Sequence, residues 1–269
     1  ALADGSYKVT PGVSVQTALP VAPLFRAIEL QLTSPLETGK LYQLTIAQVS
    51  DCSGNTLKGK PTVKFGLPEQ ADSGDLVINE ILFNPEPGGA DFVELYNVSD
   101  KTLALANLNM ADRNDSGDIA NLEKLPKGQL LPGSYFVVTE KPAYVKNNFL
   151  VKNPDQLPAI APWPTYSNEQ GDVLLVRNNG ELIDAVSYLE DWHAALVDEP
   201  EGVSLERITK DGNSNDPDNW HSAAETTHFG TPTYENSQAG EVQAKGDPFK
   251  LEPKVISPDQ DGYKDFLRQ

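Results

Sequence analysis

The stretch LVINEILFNPEPGGADFVELYNVSD, residues 76–100, decides the fold class. Two apolar runs, Leu76–Phe83 and Phe92–Asn97, flank a turn rich in Pro and Gly, the local signature of paired strands. Each run is interrupted by an acidic residue, Glu80 in the first and Glu94 in the second. The same punctuation continues in both directions. Twenty Gly and 21 Pro break the chain into short apolar segments, the pattern of a sandwich rather than of helices alternating with parallel strands. Further strands are expected at Phe25–Leu32, Leu41–Val49, Thr62–Phe65, Tyr135–Thr139, Val173–Arg177, Leu182–Tyr188 and Val203–Ile208, nearly all bounded by Gly, Pro, Asn or Asp. One short helix is expected after Lys141, because Pro142 suits a first helical position and Val145 and Phe149 share a helical face. The fold class is all-β.

With 269 residues, the chain can form one large or two ordinary domains, each with its own core. Thirty-nine acidic against 21 basic residues give a net charge of −18. A phosphate backbone or an anionic bilayer is repelled by such a surface, so nucleic acid is excluded as a partner. The acidity suits a soluble surface in contact with salt or divalent cations. Cys52 is the single cysteine, which rules out an intrachain disulfide and a thiol-based zinc site and leaves the compartment open. No stretch approaches the length of a membrane span, so no membrane insertion is expected in this segment. The N-terminus lacks the series of a signal peptide, so the protein is cytoplasmic or follows a leader that has been removed.

Residues 68–74, within LPEQADSG, are polar and carry no hydrophobic period, and read as a linker between a short N-terminal domain, residues 1–67, and a larger one, residues 75–237. Residues 238–269 read as a second linker followed by the first strand of a further β-domain. The chain stops at Phe266-Leu267-Arg268-Gln269, just after an apolar pair that looks like a strand start. It reads as cut from a longer protein at both ends, a link in a chain of modules.

Several of these pieces look familiar. In GKLYQLTIAQVSDCSGNTL, Tyr42 stands two residues before Leu44 on an alternating strand, which resembles the tyrosine corner of immunoglobulin-like domains. The turn at Asp51-Cys52-Ser53-Gly54-Asn55 that follows is similar to the final hairpin of bacterial surface Ig-like repeats, of which residues 1–67 would be a part. The quoted stretch 76–100 resembles the opening of the bacterial lamin-tail domain. LLPGSYFVVT at 130–139, GDVLLVRNNGELIDAVSY at 171–188, GVSLERI at 202–208 and DNWHSAAETTHFGTPTYENS at 218–237 agree with it in order. The resemblance implies an immunoglobulin-like β-sandwich with no catalytic site. One departure is the Pro-rich stretch 149–167. ISPDQDGYKDFLRQ at 256–269 resembles the start of the C-terminal sandwich domain of Bacteroidetes surface and secreted proteins, the type associated with type IX secretion or gliding. That likeness implies a secreted or cell-surface protein, outer membrane or extracellular.

Reactive constellations are sparse. No Ser lies in a Gly-x-Ser-x-Gly elbow, and Cys52 has no His near it in sequence. His193, His221 and His228 lack the HExxH spacing, and two of them follow tryptophan. Glu80 and Glu94 could meet across the sheet as a general acid and base if a cleft held them about 5 to 9 Å apart. The plainer reading has each bonded to a backbone amide or to an arginine, Arg207 being at hand beside Glu206. Hard oxygen ligands cluster on three loops: Asp112–Asp118; Asp211, Asn213, Asn215, Asp216 and Asp218; and Asp259, Asp261 and Asp265. Such loops can wrap calcium, although none matches the EF-hand, and Asx-rich turns also serve any sandwich. No cofactor is required. Trp163, Tyr166, Trp192 and Trp220 are the candidate binding aromatics.

Three functions follow from different classes: a non-catalytic structural or adhesive module, an accessory module of an extracellular hydrolase that binds glycan or protein, and a hydrolase in its own right. The module reading leads, with a protein or a cell-envelope glycan as partner. A row of solvent-facing aromatics favours glycan, and a pocket joining Glu80, Glu94 and a histidine favours catalysis.

Overall fold

The computed structural model describes residues 5–51, 53–164, 166–197 and 199–240. Five short strands build the N-terminal part: β1 (Tyr7–Thr10), β2 (Val15–Pro20), β3 (Ile28–Leu32), β4 (Tyr42–Ile46) and β5 (Thr62–Phe65). They form an antiparallel sheet in the order β1-β4-β5 and a separate β2-β3 hairpin. The core they enclose is small, with Val9, Val13 and Tyr42 buried and Leu32, Leu44 and Phe65 packed on them. The Tyr42 hydroxyl accepts the backbone N–H of Glu37 at 2.9 Å, so the ring fills the core while its polar tip stays satisfied. Asp51 shapes the turn after β4, its Oδ1 accepting the amides of Ser53 and Asn55.

The larger part is a sandwich. Its strands are β6 (Leu76–Leu82), β7 (Phe92–Asn97), β8 (Leu103–Ala104), β9 (Leu108–Arg113), β10 (Ile119–Lys124), β11 (Gln129–Leu130), β12 (Tyr135–Thr139), β13 (Gln170–Arg177), β14 (Leu182–Leu189), β15 (Leu205–Arg207) and β16 (Trp220–Ser222), with one helix, α1 (Pro142–Asn148). A five-stranded sheet, β12-β7-β6-β15-β16, faces a four-stranded one, β10-β9-β13-β14, and β8 pairs with β11 beside them. The main core lies between the sheets. Ile78, Ile81, Val93 and Leu95 meet Met110, Val173, Leu175 and Val186 there.

The five-stranded sheet is buried on its second face as well, where Leu82, Phe92 and Val137 are covered by Val145 of α1, Phe149 and Leu157. Double burial explains why β6 and β7 read as near-continuous apolar runs instead of alternating ones. Within β6 the register shifts between Ile78, opposite Leu95, and Glu80, opposite Glu94. Asn79 is the extra residue of this bulge, which lets Ile78 and Ile81 both face the main core. Without it, one of the two isoleucines would point to the outer face.

The helix begins at Pro142 as expected, and the Pro-rich stretch 149–167 is part of the packing. Phe149 and Leu157 cap the outer face, and Ile160 and Tyr166 enter the main core. Strands β1, β2, β8, β9, β10, β11 and β16 fall outside the expected runs. Only Leu108 and Met110 of β9 face the main core, and the acidic turn that follows masks their period. Residues 68–74 are bound to the sandwich: Glu69 exchanges backbone hydrogen bonds with Thr102 and Ala104, Ala71 is buried, and Arg177 grips the Ala71 carbonyl and the Asp72 carboxylate. The strand expected within 238–269, like Cys52, lies outside the described residues.

Candidate functional site

Strands β7, β6 and β15 are neighbours, and their registers place Glu94 opposite Glu80 and Glu80 opposite Glu206. Three glutamates therefore stand in one row across the outer face, all fully buried. Among the described residues, none of the three forms an ion pair. Arg207, the expected partner, points the other way because consecutive strand residues alternate faces. Its guanidinium donates to the carbonyls of Ile78 and Gly212, to Ser214 and to Asp184.

What satisfies the row is a strap formed by residues 229–238. The N–H of Thr231 and the hydroxyl of Ser204 donate to Glu80 at 2.8 and 2.5 Å. The N–H of Thr233 and the side-chain amide of Asn79 donate to Glu94 at 2.6 and 2.8 Å. Glu206 accepts the hydroxyls of Thr231 and Ser237 and the N–H of Gln238. Pro232 has no N–H to place, and the residues on either side of it supply the donors. Asn236 adds bonds to the carbonyls of Asn79 and Arg207. The strap lies close because of Gly230: a Cβ there would stand 2.7 Å from the Phe149 ring and 3.2 Å from Glu80.

All donors to the row are neutral, and its carboxylates are withdrawn from water. Burial, reinforced by the neighbouring Glu206 charge, pushes Glu80 up to about 8. Burial, followed by the Glu80 charge, holds Glu94 well above the usual carboxylate range. At neutral pH Glu80 and Glu94 thus retain protons that the same residues would release in an unfolded chain. Glu80 and Glu94 do meet across the sheet as anticipated, but beneath the strap and not in a cleft. Glu206, the third member, was not singled out in the sequence. In VSLERI it takes the regular polar position of an alternating strand and so reads as facing solvent.

The other sequence candidates are placed as follows. The Asp112–Asp118 segment ends β9 and makes the hairpin turn that leads into β10, with Asn114 Oδ1 accepting the amides of Ser116 and Asp118. In the loop 211–218, Asn213 accepts the amide of Asn215, Asn215 accepts that of Ser187, and Asp216 accepts that of Asp218. The Arg207 guanidinium sits against this loop through Gly212 and Ser214. Asp259, Asp261 and Asp265 lie outside the described residues, and among the described residues no group of three or more His, Cys, Asp or Glu could hold a metal ion.

The four aromatics do not form an exposed row. Tyr166 and Trp220 are buried in the main core, and Trp163 and Trp192 pack against it. The indole of Trp220 donates to the Ser214 carbonyl. His193 is inward, its Nδ1 2.9 Å from the Ser222 hydroxyl, and burial lowers its pKa to about 4. It does not join the glutamate row, whereas His221 and His228 are exposed.

Beside the strap runs an open groove of about 660 Å³. Phe149, Val203, Ala223 and Phe229 give it an apolar floor, and Glu86, Glu199, Glu201 and Glu225 stand around it.

Residues 69–190 match the family model described as Lamin Tail Domain. The chain carries a lamin tail domain. Its class is the one expected, an all-β immunoglobulin-like sandwich. The lamin tail match ends before β15, yet β15 pairs with β6 and brings Glu206 into the row. Among solved structures, a DUF4876 family protein from Bacteroides thetaiotaomicron is similar at 13% identity over 87% of this chain and 90% of that one, with a TM-score of 0.34. No curated protein matches the chain. Among the described residues no helix of the lamin tail domain or of the preceding strands is long and apolar enough to cross a membrane.

Proposed function

We propose that the chain is a non-catalytic structural and interaction module of a secreted or cell-surface multidomain protein, with a protein or an envelope glycan as its partner. One observation carries this reading: Glu80 and Glu94, the pair placed for acid–base chemistry, are fully buried and bonded to the strap. A general acid or base must come within hydrogen-bond reach of a substrate, and here the strap holds that position. The lamin tail family is also generally non-catalytic. The test has two arms. A panel of chromogenic glycosides should show no turnover with the whole chain, and turnover abolished by Glu80→Gln would overturn the non-catalytic reading. Protease treatment of intact cells producing the full-length protein should remove it, and full protection would overturn its placement at the surface.

A further inference from the structure

Charge and apolar surface coincide at the groove beside the strap. Leu196 and Phe229 line it and present 96% and 37% of their surface to solvent. The display of Phe229 is built in. His228 and Phe229 both adopt positive φ, 57° and 62°, a costly conformation for non-glycine residues. Phe229 is held there by its N–H to Ala224 and by its carbonyl, which accepts the N–H of Ser204. Gly230 then anchors the chain over Phe149 and Glu80. The rim is equally fixed: Gly202 donates its N–H to the carbonyl of Asn84, and Glu86 packs on Gly202, next to Glu201.

Glu86, Glu199, Glu201 and Glu225 are all exposed, and among the described residues no lysine or arginine lines the groove. Exposed carboxylates around an apolar floor attract a cation that carries its own apolar group. A second copy of this chain, at a net charge of −18, is repelled by the same field. We infer that the groove receives a peptide segment of another protein in which Lys or Arg residues flank a large apolar side chain. The apolar side chain would seat on Leu196 and Phe229, and the cations would face the four glutamates. This partner class rests on the interaction-module reading but fails separately from it, since a module that takes no such peptide can still be displayed at a surface and lack turnover.

The experiment measures fluorescence anisotropy of a labelled Lys-Leu-Lys-Phe-Lys-Leu-Lys peptide against the whole chain. Saturable binding is expected, weakening as salt rises. The combined Glu86→Gln, Glu201→Gln and Glu225→Gln variant should lose at least tenfold in affinity, and so should Leu196→Ser. A matching neutralisation on the distant hairpin, Asp112→Asn with Asp115→Asn and Asp118→Asn, should leave it unchanged. A peptide with Ser in place of Leu and Phe should bind at least tenfold more weakly. No binding, equal loss with the hairpin variant, or indifference to Leu196→Ser would overturn the proposal. So would a mass that rises with concentration, which would make a second copy the occupant, or a gain of affinity on removing residues 241–269, which would make the chain's own tail the occupant.

Discussion

At the scale of single residues, the buried glutamates fix a pH dependence. Glu80 has a folded pKa of about 8, above its ordinary 4.5, so the native state binds more protons than the unfolded one between those values. The corresponding stability is fully present below the ordinary value and is lost as pH rises through the folded one. Each proton retained only in the fold contributes a slope of about 1.4 kcal/mol per pH unit. Unfolding in urea should show the wild-type chain losing stability from pH 5.5 to 8.5. Glu80→Gln should flatten that slope, since an amide does not titrate and its NH₂ can donate to the Thr231 hydroxyl. Parallel slopes for the two proteins would refute the assignment. That Glu80 and Glu94 sit opposite each other was legible in the paired runs around the Pro/Gly turn. The bulge at Asn79 and the third carboxylate were not, because both depend on which strand lies next to β6.

At the scale of elements, the strap and the five-stranded sheet complete one another. A sheet buried on both faces needs donors wherever its outer side chains are carboxylates. The strap supplies them with backbone N–H groups that would otherwise be unpaired. Gly230 makes the close approach possible, and Gly230→Val would push the strap off the Phe149 ring and Glu80. The expected cost is about 1–3 kcal/mol, typical of overpacking. Hydrogen exchange should register it locally. The amides of Thr231 and Thr233, protected in the wild type as well as those of β6, should exchange at least tenfold faster in the variant while those of β13 stay protected. The helix at Pro142 was readable from a single turn of sequence, since its start and its buried face are both local. The strap had no comparable signal, because HFGTPTYENS has neither the period of a strand nor that of a helix.

At the scale of the molecule, the N-terminal strands meet the lamin tail domain through a tight contact at Gly66. A Cβ there would stand 2.2 Å from the Thr102 hydroxyl and 3.3 Å from the carbonyl of Lys40. Nearby, the amide of Gly39 donates to Glu69. Gly66→Val should cost about 1–3 kcal/mol and uncouple the two parts. Calorimetry would then show the N-terminal strands melting ahead of the sandwich, whereas a single unshifted transition would mean that the contact does not join them. Sequence alone determined the all-β class, most strand positions, the acidity and the lamin tail resemblance, because apolar runs, turn residues and charge are local properties that survive in any arrangement of the strands. Only the tertiary structure decided that the polar stretch 68–74 is bound, that the candidate aromatics face inward, that Arg207 serves the loop after β15, and that three glutamates share one row under a strap. Each of these depends on which segments become neighbours, and that is set by burying both faces of one sheet at once rather than by any residue's immediate context.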